Sequence, residues 1–139
     1  MVTPDIFYVE DDPDYAFILQ SAIAEVREEL TVGIVEDGRD AISKLRSFEN
    51  TKNKPKLILL DLNLPGLSGL DVLKMIKEMP YLKYIPVILF STSDNPKDVK
   101  ASYEFGANAY VTKPDGYNNL LNCLRTMHEF WFLQNRGIN

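Results

Sequence analysis

The most telling part of the sequence reads Leu57-Ile58-Leu59-Leu60-Asp61-Leu62-Asn63-Leu64-Pro65-Gly66. Four apolar residues in a row are typical of a strand that is buried on both faces of a parallel sheet. An acid follows this run directly, and Pro65-Gly66 then predicts a turn. Asp61 is therefore expected at the end of a buried strand, either as a functional carboxylate or as a turn residue whose polar atoms are satisfied.

Outward from this segment, short strand-like runs alternate with longer helical patterns. Strands are predicted at Ile6–Val9, Val32–Val35, Leu57–Leu60, Val87–Phe90 and Ala109–Thr112. Helices are predicted at Asp14–Glu29, Gly38–Phe48, Ser68–Glu78, Pro96–Phe105 and Tyr117–Leu133. This alternation predicts an α/β fold with a doubly wound parallel sheet, helices on both faces, and the third and fourth strands at its centre.

Length, charge and cysteine content exclude several classes of protein. The chain is expected to form one domain over residues 1–139, in which 126–139 extend the last helix and end in a tail. A net charge of −5 without a Lys/Arg cluster argues against nucleic-acid binding. Apolar runs stay shorter than the roughly 18 residues of a membrane span, and the N-terminus lacks signal-peptide features. A single Cys123, typical of a small core residue, fits a reduced cytoplasmic location.

Chemically active side chains of a doubly wound sheet lie at the carboxyl ends of its strands. In this sequence those positions hold Glu10–Asp12, Asp61–Asn63, Ser91–Thr92 and Lys113. Carboxylates gathered at one edge repel one another unless a cation neutralises them, and Mg²⁺ is a hard cation that prefers oxygen ligands and phosphate. Lys113 would reach the same acids, and the Ser91 hydroxyl would move if it bound a phosphoryl group.

Each of these positions also has a purely structural interpretation. Asp12, which precedes Pro13, is equally well placed to cap the first helix. Lys113 can be a surface lysine at a turn, and its bond to Pro114 can be trans or cis. Ser91 can belong to a turn or cap that opens the next helix. The functional interpretation is favoured because these positions occur together, each just past a predicted strand.

The combination resembles the receiver domain of response regulators in two-component signalling. The matching features are Glu10-Asp11, Asp61-Leu62-Asn63-Leu64-Pro65-Gly66 with Gly69, Ser91, Tyr110 and Lys113-Pro114, spread from Ile6 to about Leu124. The resemblance implies a flavodoxin-like sheet in the strand order 2-1-3-4-5 with five helices. It also implies a stand-alone regulator that accepts a phosphoryl group from a sensor histidine kinase and acts on a downstream protein target, without being a turnover enzyme.

The same resemblance implies a role for each residue of the site. Asp61 would be the phosphoacceptor. Mg²⁺ would be bound by Asp11, Asp61, the backbone carbonyl of Asn63 and, through a water molecule, Glu10. The remaining roles fall to Lys113, which would bind a phosphoryl oxygen, and to Ser91 and Tyr110, the switch hydroxyl and the aromatic side chain that follows its movement.

The C-terminal helix is long for this family. At Phe130, Phe132 and Leu133 its last turns are apolar on nearly every side, which predicts a partner surface, with homodimerisation first, or a tail folded back on its own domain. The ending 129–133 is similar to that of single-domain regulators that work with bacterial phytochromes, so a phytochrome-type kinase is one expected partner. Phosphorylation is expected to change the face formed by the fourth helix, fifth strand and fifth helix, which includes Tyr103 and Tyr110.

Three other functions compete with phosphoacceptance. Asp61-Leu62-Asn63 superficially resembles the Asp-x-Asp motif of haloacid-dehalogenase-type phosphatases, but Asn63 cannot serve as the general acid/base that turnover requires. A flavin carrier of the same fold would need a phosphate-binding loop where this chain has acids. A docking module that binds partners without phosphorylation stays open.

Overall fold

The computed structural model describes residues 3–138, so the expected domain limits at residues 1 and 139 lie outside the described part. Its strands are β1 (Ile6–Val9), β2 (Val32–Val35), β3 (Leu57–Leu60), β4 (Val87–Ser91) and β5 (Ala109–Thr112). Its helices are α1 (Pro13–Val26), α2 (Gly38–Arg46), α3 (Gly69–Glu78), α4 (Pro96–Glu104) and α5 (Tyr117–His128), and α5 continues as a π-helical segment over Glu129–Gln134. Among the described residues, no helix has the length and apolar character needed to cross a membrane.

All five strands run parallel in the order β2-β1-β3-β4-β5, which confirms the predicted topology. β3 lies in the middle, and every residue of β1, β3 and β4 is buried. The third and fourth strands lie inside the sheet as predicted, and β1 lies there beside them, as the predicted strand order requires. Tyr8 makes β1 look half-polar in sequence. It is nevertheless fully buried, and its hydroxyl is satisfied there because it donates to Glu10.

Two apolar cores cover the two faces of the sheet. One joins the sheet to α2 and α3, and the other joins it to α1 and α5. The intervening helix α4 is the exception, since Ser102 is its one buried residue. A helix held by so little apolar contact can shift at low cost in free energy.

Side-chain caps lie at the starts of α1 and α4. The side chain of Asn95 accepts a hydrogen bond from the Lys97 amide, with Pro96 at the first helical position of α4. Asp12 caps α1 by accepting from the amides of Asp14 and Tyr15, which decides in favour of its structural interpretation. The predicted end of α1 was wrong by three residues, because Arg27 is already extended.

The C-terminal helix is as long as expected, but its last part has wider turns. The amide of Asn135 donates to the Phe130 carbonyl, a spacing of five residues that is typical of a π-helix. Trp131 and Phe132 thereby pack against the core, whereas Phe130 and Leu133 stay exposed. The segment is thus partly folded back on its own domain and partly left as an apolar surface.

Tyr117, the first residue of α5, lies outside the core-facing stripe of this helix. Its ring is exposed, and its hydroxyl donates to Glu25 at 2.7 Å. The core-facing stripe begins one turn later, at Leu120 and Leu121.

Candidate functional site

The carboxyl ends of β1, β3 and β5 bring the predicted acids and the lysine together. Carboxylate oxygens of Glu10, Asp11 and Asp61 all lie within 4.8 Å of one another. Glu10 and Asp61 are buried, whereas Asp11 is exposed at the rim. Asp12 is not part of this cluster. The structure therefore groups three acids at one end of the sheet, two of them removed from water.

Lys113 lies against the two buried acids. Its Nζ is 2.9 Å from Oδ2 of Asp61 and also donates to Oε1 of Glu10. The side chain is only 6% exposed, so its interpretation as a surface lysine was wrong. All peptide bonds among the described residues are trans, including the one between Lys113 and Pro114.

Glu10 is fixed in place by further hydrogen bonds. The hydroxyl of Tyr8 donates to its Oε1 at 2.8 Å, and the amide of Asp12 donates to its Oε2 at 3.2 Å. Burial raises the pKa of the Glu10 carboxyl, but the hydrogen bonds from Lys113 and Tyr8 outweigh burial and hold this pKa below its usual range. Glu10 is therefore ionised at neutral pH.

Asp61 is in the less favourable environment. Burial raises the pKa of its carboxyl; the ion pair with Lys113 opposes this shift, and the nearby charge of Glu10 adds to it. Burial alone would lower the pKa of Lys113, yet the two carboxylates raise it above its usual value. The ammonium thus stays charged beside the two buried acids.

The charges at this edge do not balance. Lys113 supplies one positive charge against Glu10, Asp11 and Asp61, which leaves excess negative charge at the rim. The available ligands are all oxygen atoms, the donor type that Mg²⁺, Mn²⁺ and Ca²⁺ prefer over softer metals. The residues present therefore fit a hard divalent cation.

The loop after β3 is held tightly against the start of α3. Gly69 donates its amide to the Leu62 carbonyl at 2.8 Å, and a Cβ at position 69 would lie only 2.1 Å from the carbonyl oxygen of Asp61. A glycine is required here because any side chain would collide with this backbone. Asn63 is exposed, and its amide donates to Oδ1 of Asp61 at 3.4 Å.

Ser91 and Tyr110 are connected through Ser93. The buried Ser91 hydroxyl accepts a hydrogen bond from the Ser93 amide at 3.2 Å, and the Tyr110 hydroxyl donates to the Ser93 carbonyl at 2.7 Å. Ser91 thus makes the turn contact of its structural interpretation. Thr92 between them is exposed.

Sequence reasoning missed two tyrosines beside the acids. Tyr8 precedes Glu10 by two residues and therefore lies on the same face of the strand, so period-two spacing could have paired them. Tyr15 lies in the first turn of α1, with its ring centroid 4.5 Å from the Nζ of Lys113. A contact between residues 98 positions apart leaves no local signal in the sequence.

The fold and the residues at its carboxyl edge define the class of protein. The chain belongs to the response regulator receiver domain family, which it matches over residues 6–125. Among curated proteins it is similar to the response regulator Rcp1 of Synechocystis sp. (strain ATCC 27184 / PCC 6803 / Kazusa), with 38% identity over 129 residues, covering 91% of this chain and 87% of that protein.

Two solved structures of response regulators are similar to this chain over nearly its whole length. The phosphorylated cyanobacterial phytochrome response regulator RcpA superposes with a TM-score of 0.89 at 36% identity, covering 99% of this chain and all of that one. The Mn²⁺-bound form of Rcp1 gives a TM-score of 0.83 at 34% identity, covering 98% and 100%. The predicted likeness to phytochrome-associated regulators is thereby confirmed.

Proposed function

We propose that this chain is a stand-alone response regulator, one receiver domain over residues 1–139, that accepts a phosphoryl group on Asp61 from a sensor histidine kinase. The difference between the two buried acids carries the proposal. Both carboxylate oxygens of Glu10 accept hydrogen bonds, and its pKa is held low. Among the described residues, Asp61 accepts a hydrogen bond from Lys113 on Oδ2 and a long one of 3.4 Å from the Asn63 amide on Oδ1, and the nearby Glu10 carboxylate helps to raise its pKa. Its Oδ1 is therefore the carboxylate oxygen best able to accept phosphorus.

The reaction needs no general base. An oxygen of ionised Asp61 attacks phosphorus, the P–O bond forms, and the P–N bond to the kinase histidine breaks as that ring leaves. Lys113 moves from carboxylate to phosphoryl oxygen, where it offsets the new charge. The chain assists this transfer and the later hydrolysis of its own acyl phosphate, but it does not turn over an external substrate.

Mg²⁺ is the proposed cofactor. Asp11, Asp61 and the backbone carbonyl of Asn63 would hold it, and Glu10 would act through a bound water. When bound, the ion neutralises charge on the phosphoryl oxygens. The excess of carboxylates over Lys113 at this edge supports the assignment.

The switch is proposed to run through Ser91 and Tyr110. If the Ser91 hydroxyl turns to a phosphoryl oxygen, the Ser93 amide loses its acceptor, and the loop that holds the Tyr110 hydroxyl is released. The loosely packed helix α4 borders this loop, so the change reaches the face of α4, β5 and α5, where Tyr103 is exposed. This face would bind a downstream protein or a second copy of the chain.

The relatives and the C-terminal segment support the proposed partners. RcpA is a phytochrome response regulator, and a phytochrome-type histidine kinase is the proposed partner here. Phe130 and Leu133 remain exposed and offer a surface for a homodimer, in addition to the switch face. A cytoplasmic location and the absence of nucleic-acid binding complete the proposal.

Phosphorylation is tested with acetyl phosphate and with beryllofluoride, each with and without Mg²⁺. Intact mass after treatment with acetyl phosphate should show one phosphoryl group on the wild type with Mg²⁺ and none on Asp61→Asn. Beryllofluoride contains no phosphorus and only mimics the bound phosphoryl group, so it should shift amide resonances around Asp61 in the wild type and not in Asp61→Asn. The matched control is Asp12→Asn, which changes a nearby acid outside the cluster and keeps the helix cap, since asparagine caps as well as aspartate. It should be modified like the wild type.

The second candidate function is a docking module that binds partners without being phosphorylated. It predicts that neither reagent modifies the wild type although the protein still binds its kinase. Modification of Asp61→Asn as fast as the wild type would place the phosphoryl group elsewhere and contradict the assignment of Asp61.

A further inference from the structure

Tyr15 forms a third contact for the Lys113 ammonium, in addition to Glu10 and Asp61. The Nζ atom lies 4.5 Å from the centroid of the Tyr15 ring, within the range of a cation–π interaction. The ring is itself held by α1 and by the ring of Phe90 in β4, whose centroid is 6.2 Å away. Lys113 therefore contacts two carboxylates and one fixed aromatic ring.

We propose that Tyr15 is a positioning residue that keeps the Lys113 ammonium beside Asp61 through its ring. This inference rests on the proposed function, because it assigns Lys113 to the phosphoryl group. A lysine side chain has four flexible carbons, and an unrestrained ammonium loses much conformational freedom when it binds one oxygen. Because the Lys113 side chain is only 6% exposed, its attraction to the ring is little weakened by water.

The ring, not the hydroxyl, carries this role. The Tyr15 hydroxyl is buried and has no hydrogen-bond partner among the described residues. Burial, together with the nearby Cys123 and Glu10, raises the pKa of this hydroxyl to about 12, so it adds no charge at neutral pH. A buried hydroxyl without a partner costs stability. Its removal should therefore leave the positioning of Lys113 intact.

A ring face suits the movement that phosphorylation requires. Hydrogen bonds to Asp61 and Glu10 fix Lys113 in one direction and must be exchanged when a phosphoryl oxygen arrives. Attraction to the face of a ring depends less on direction, because it arises from the charge distribution of the whole π system. Lys113 can thus change oxygen partners without losing its contact with Tyr15.

The test compares Tyr15→Leu with the conservative Tyr15→Phe. With acetyl phosphate at saturating Mg²⁺, Tyr15→Leu should slow phosphorylation of Asp61 about tenfold, and Tyr15→Phe should retain the wild-type rate. The Mg²⁺ dissociation constant, measured by calorimetry, should stay within about twofold in both, because the proposed ligands are Asp11, Asp61 and Asn63, and Tyr15 is not one of them. Equal slowing in both variants would assign the effect to the hydroxyl and overturn the inference, as would a weakened Mg²⁺ site.

A double-mutant cycle separates positioning from a merely structural role. In a Lys113→Met background, Tyr15→Leu should have no further effect on the residual rate. A loss equal to that in the wild type would show that Tyr15 acts independently of Lys113, and the inference would fail.

Carbon-bound proton resonances of Lys113 provide a readout that does not need phosphorylation. They should be shifted upfield by the ring in the wild type and in Tyr15→Phe, and not in Tyr15→Leu. If the upfield shift is present but neither reagent modifies the protein, the proposed function is contradicted, and the contact between Lys113 and the Tyr15 ring is still supported. Absence of the shift in a protein that is modified would sink the inference alone.

Discussion

The carboxyl ends and the amino ends of the parallel strands, referred to as the carboxyl edge and the amino edge of the sheet, carry opposite kinds of residue. At the carboxyl edge, the buried side chains of Glu10, Asp61 and Lys113 form ion pairs. At the amino edge, a cleft of about 230 Å³ is bordered by Trp131 and Phe132 of the π-helical segment and by residues that precede β3 and β4. The carboxyl edge therefore contains buried charged side chains, whereas the amino edge contains aromatic side chains.

This difference separates function from stability. Removing ions from water costs free energy, and the attraction between them does not always offset this cost. Burying aromatic surface stabilises the fold. Substitutions at the carboxyl edge should therefore alter phosphorylation with effects on stability that depend on charge balance. Substitutions at the amino edge should lower stability and leave phosphorylation alone.

The largest effect is expected from Lys113→Met. It leaves two buried carboxylates without their cation and should lower the free energy of unfolding by about 3 kcal/mol at neutral pH. Because the carboxyl groups then gain protons more readily, part of the loss should be recovered at mildly acidic pH. Urea denaturation at pH 7 and pH 5 measures both effects.

Lys100→Met is the matched control for that substitution. Lys100 is exposed, and its ion pair with Glu104 spans one helical turn at 3.9 Å. Surface pairs of this kind add little, so the change should stay below about 0.5 kcal/mol. An equal loss in both variants would show that burial of Lys113 is not the cause.

At the opposite edge, Trp131→Ala should lower stability by about 2 kcal/mol, less than for a fully buried tryptophan. Phosphorylation of Asp61 should keep its wild-type rate, since the substitution lies at the other end of the sheet. The exposed neighbour Phe130 provides the control: Phe130→Ala should cost little. If the Phe130→Ala loss grew with protein concentration, the segment would form a dimer contact in solution.

The strands were predictable because their signal is local. Apolar runs bounded by polar residues gave all five within one residue, and parallel order then placed Asp61 and Lys113 at one edge. Neighbours in the chain also suffice to identify a cap such as Asn95. The metal and switch roles of the site residues stay predictions, since proximity alone does not assign them.

What sequence could not give depends on contacts between distant residues. The π-helical segment carries Trp131, which packs on a core built by other elements, so its conformation is not encoded by neighbouring residues alone. In the sequence, Tyr15 looks like any residue of a helix. Its contact with Lys113 arises only because the fold places the end of β5 beside α1. Asp12 fits a cap and a metal ligand equally well in sequence, and only the three-dimensional arrangement separates it from Glu10.

Asp61→Asn tests the carboxyl edge from the other direction. Because burial raises the folded-state pKa of Asp61, its ionised form destabilises the fold at neutral pH, and this penalty disappears below the ordinary pKa of 3.8. The substitution should therefore raise stability at pH 7 by about 1 kcal/mol while it abolishes phosphorylation. Thermal unfolding at pH 7 and pH 3.5 should show a gain at the higher pH only. A loss at pH 7 would mean that the pair with Lys113 stabilises more than burial costs.

The smallest effect on stability is expected from Tyr110→Phe. This substitution also tests whether Tyr110 belongs functionally to the carboxyl edge. It removes the 2.7 Å hydrogen bond to the Ser93 carbonyl and should cost about 0.5 kcal/mol, with the rate of phosphorylation unchanged. Amide resonances of α4 should respond less to beryllofluoride than in the wild type, because the link from Ser91 through Ser93 is broken. Tyr103→Phe, on the exposed surface of α4, should leave that response intact. A full response in Tyr110→Phe would show that the movement reaches α4 by another route, so that this tyrosine belongs with the packing of the sheet and not with its charged edge.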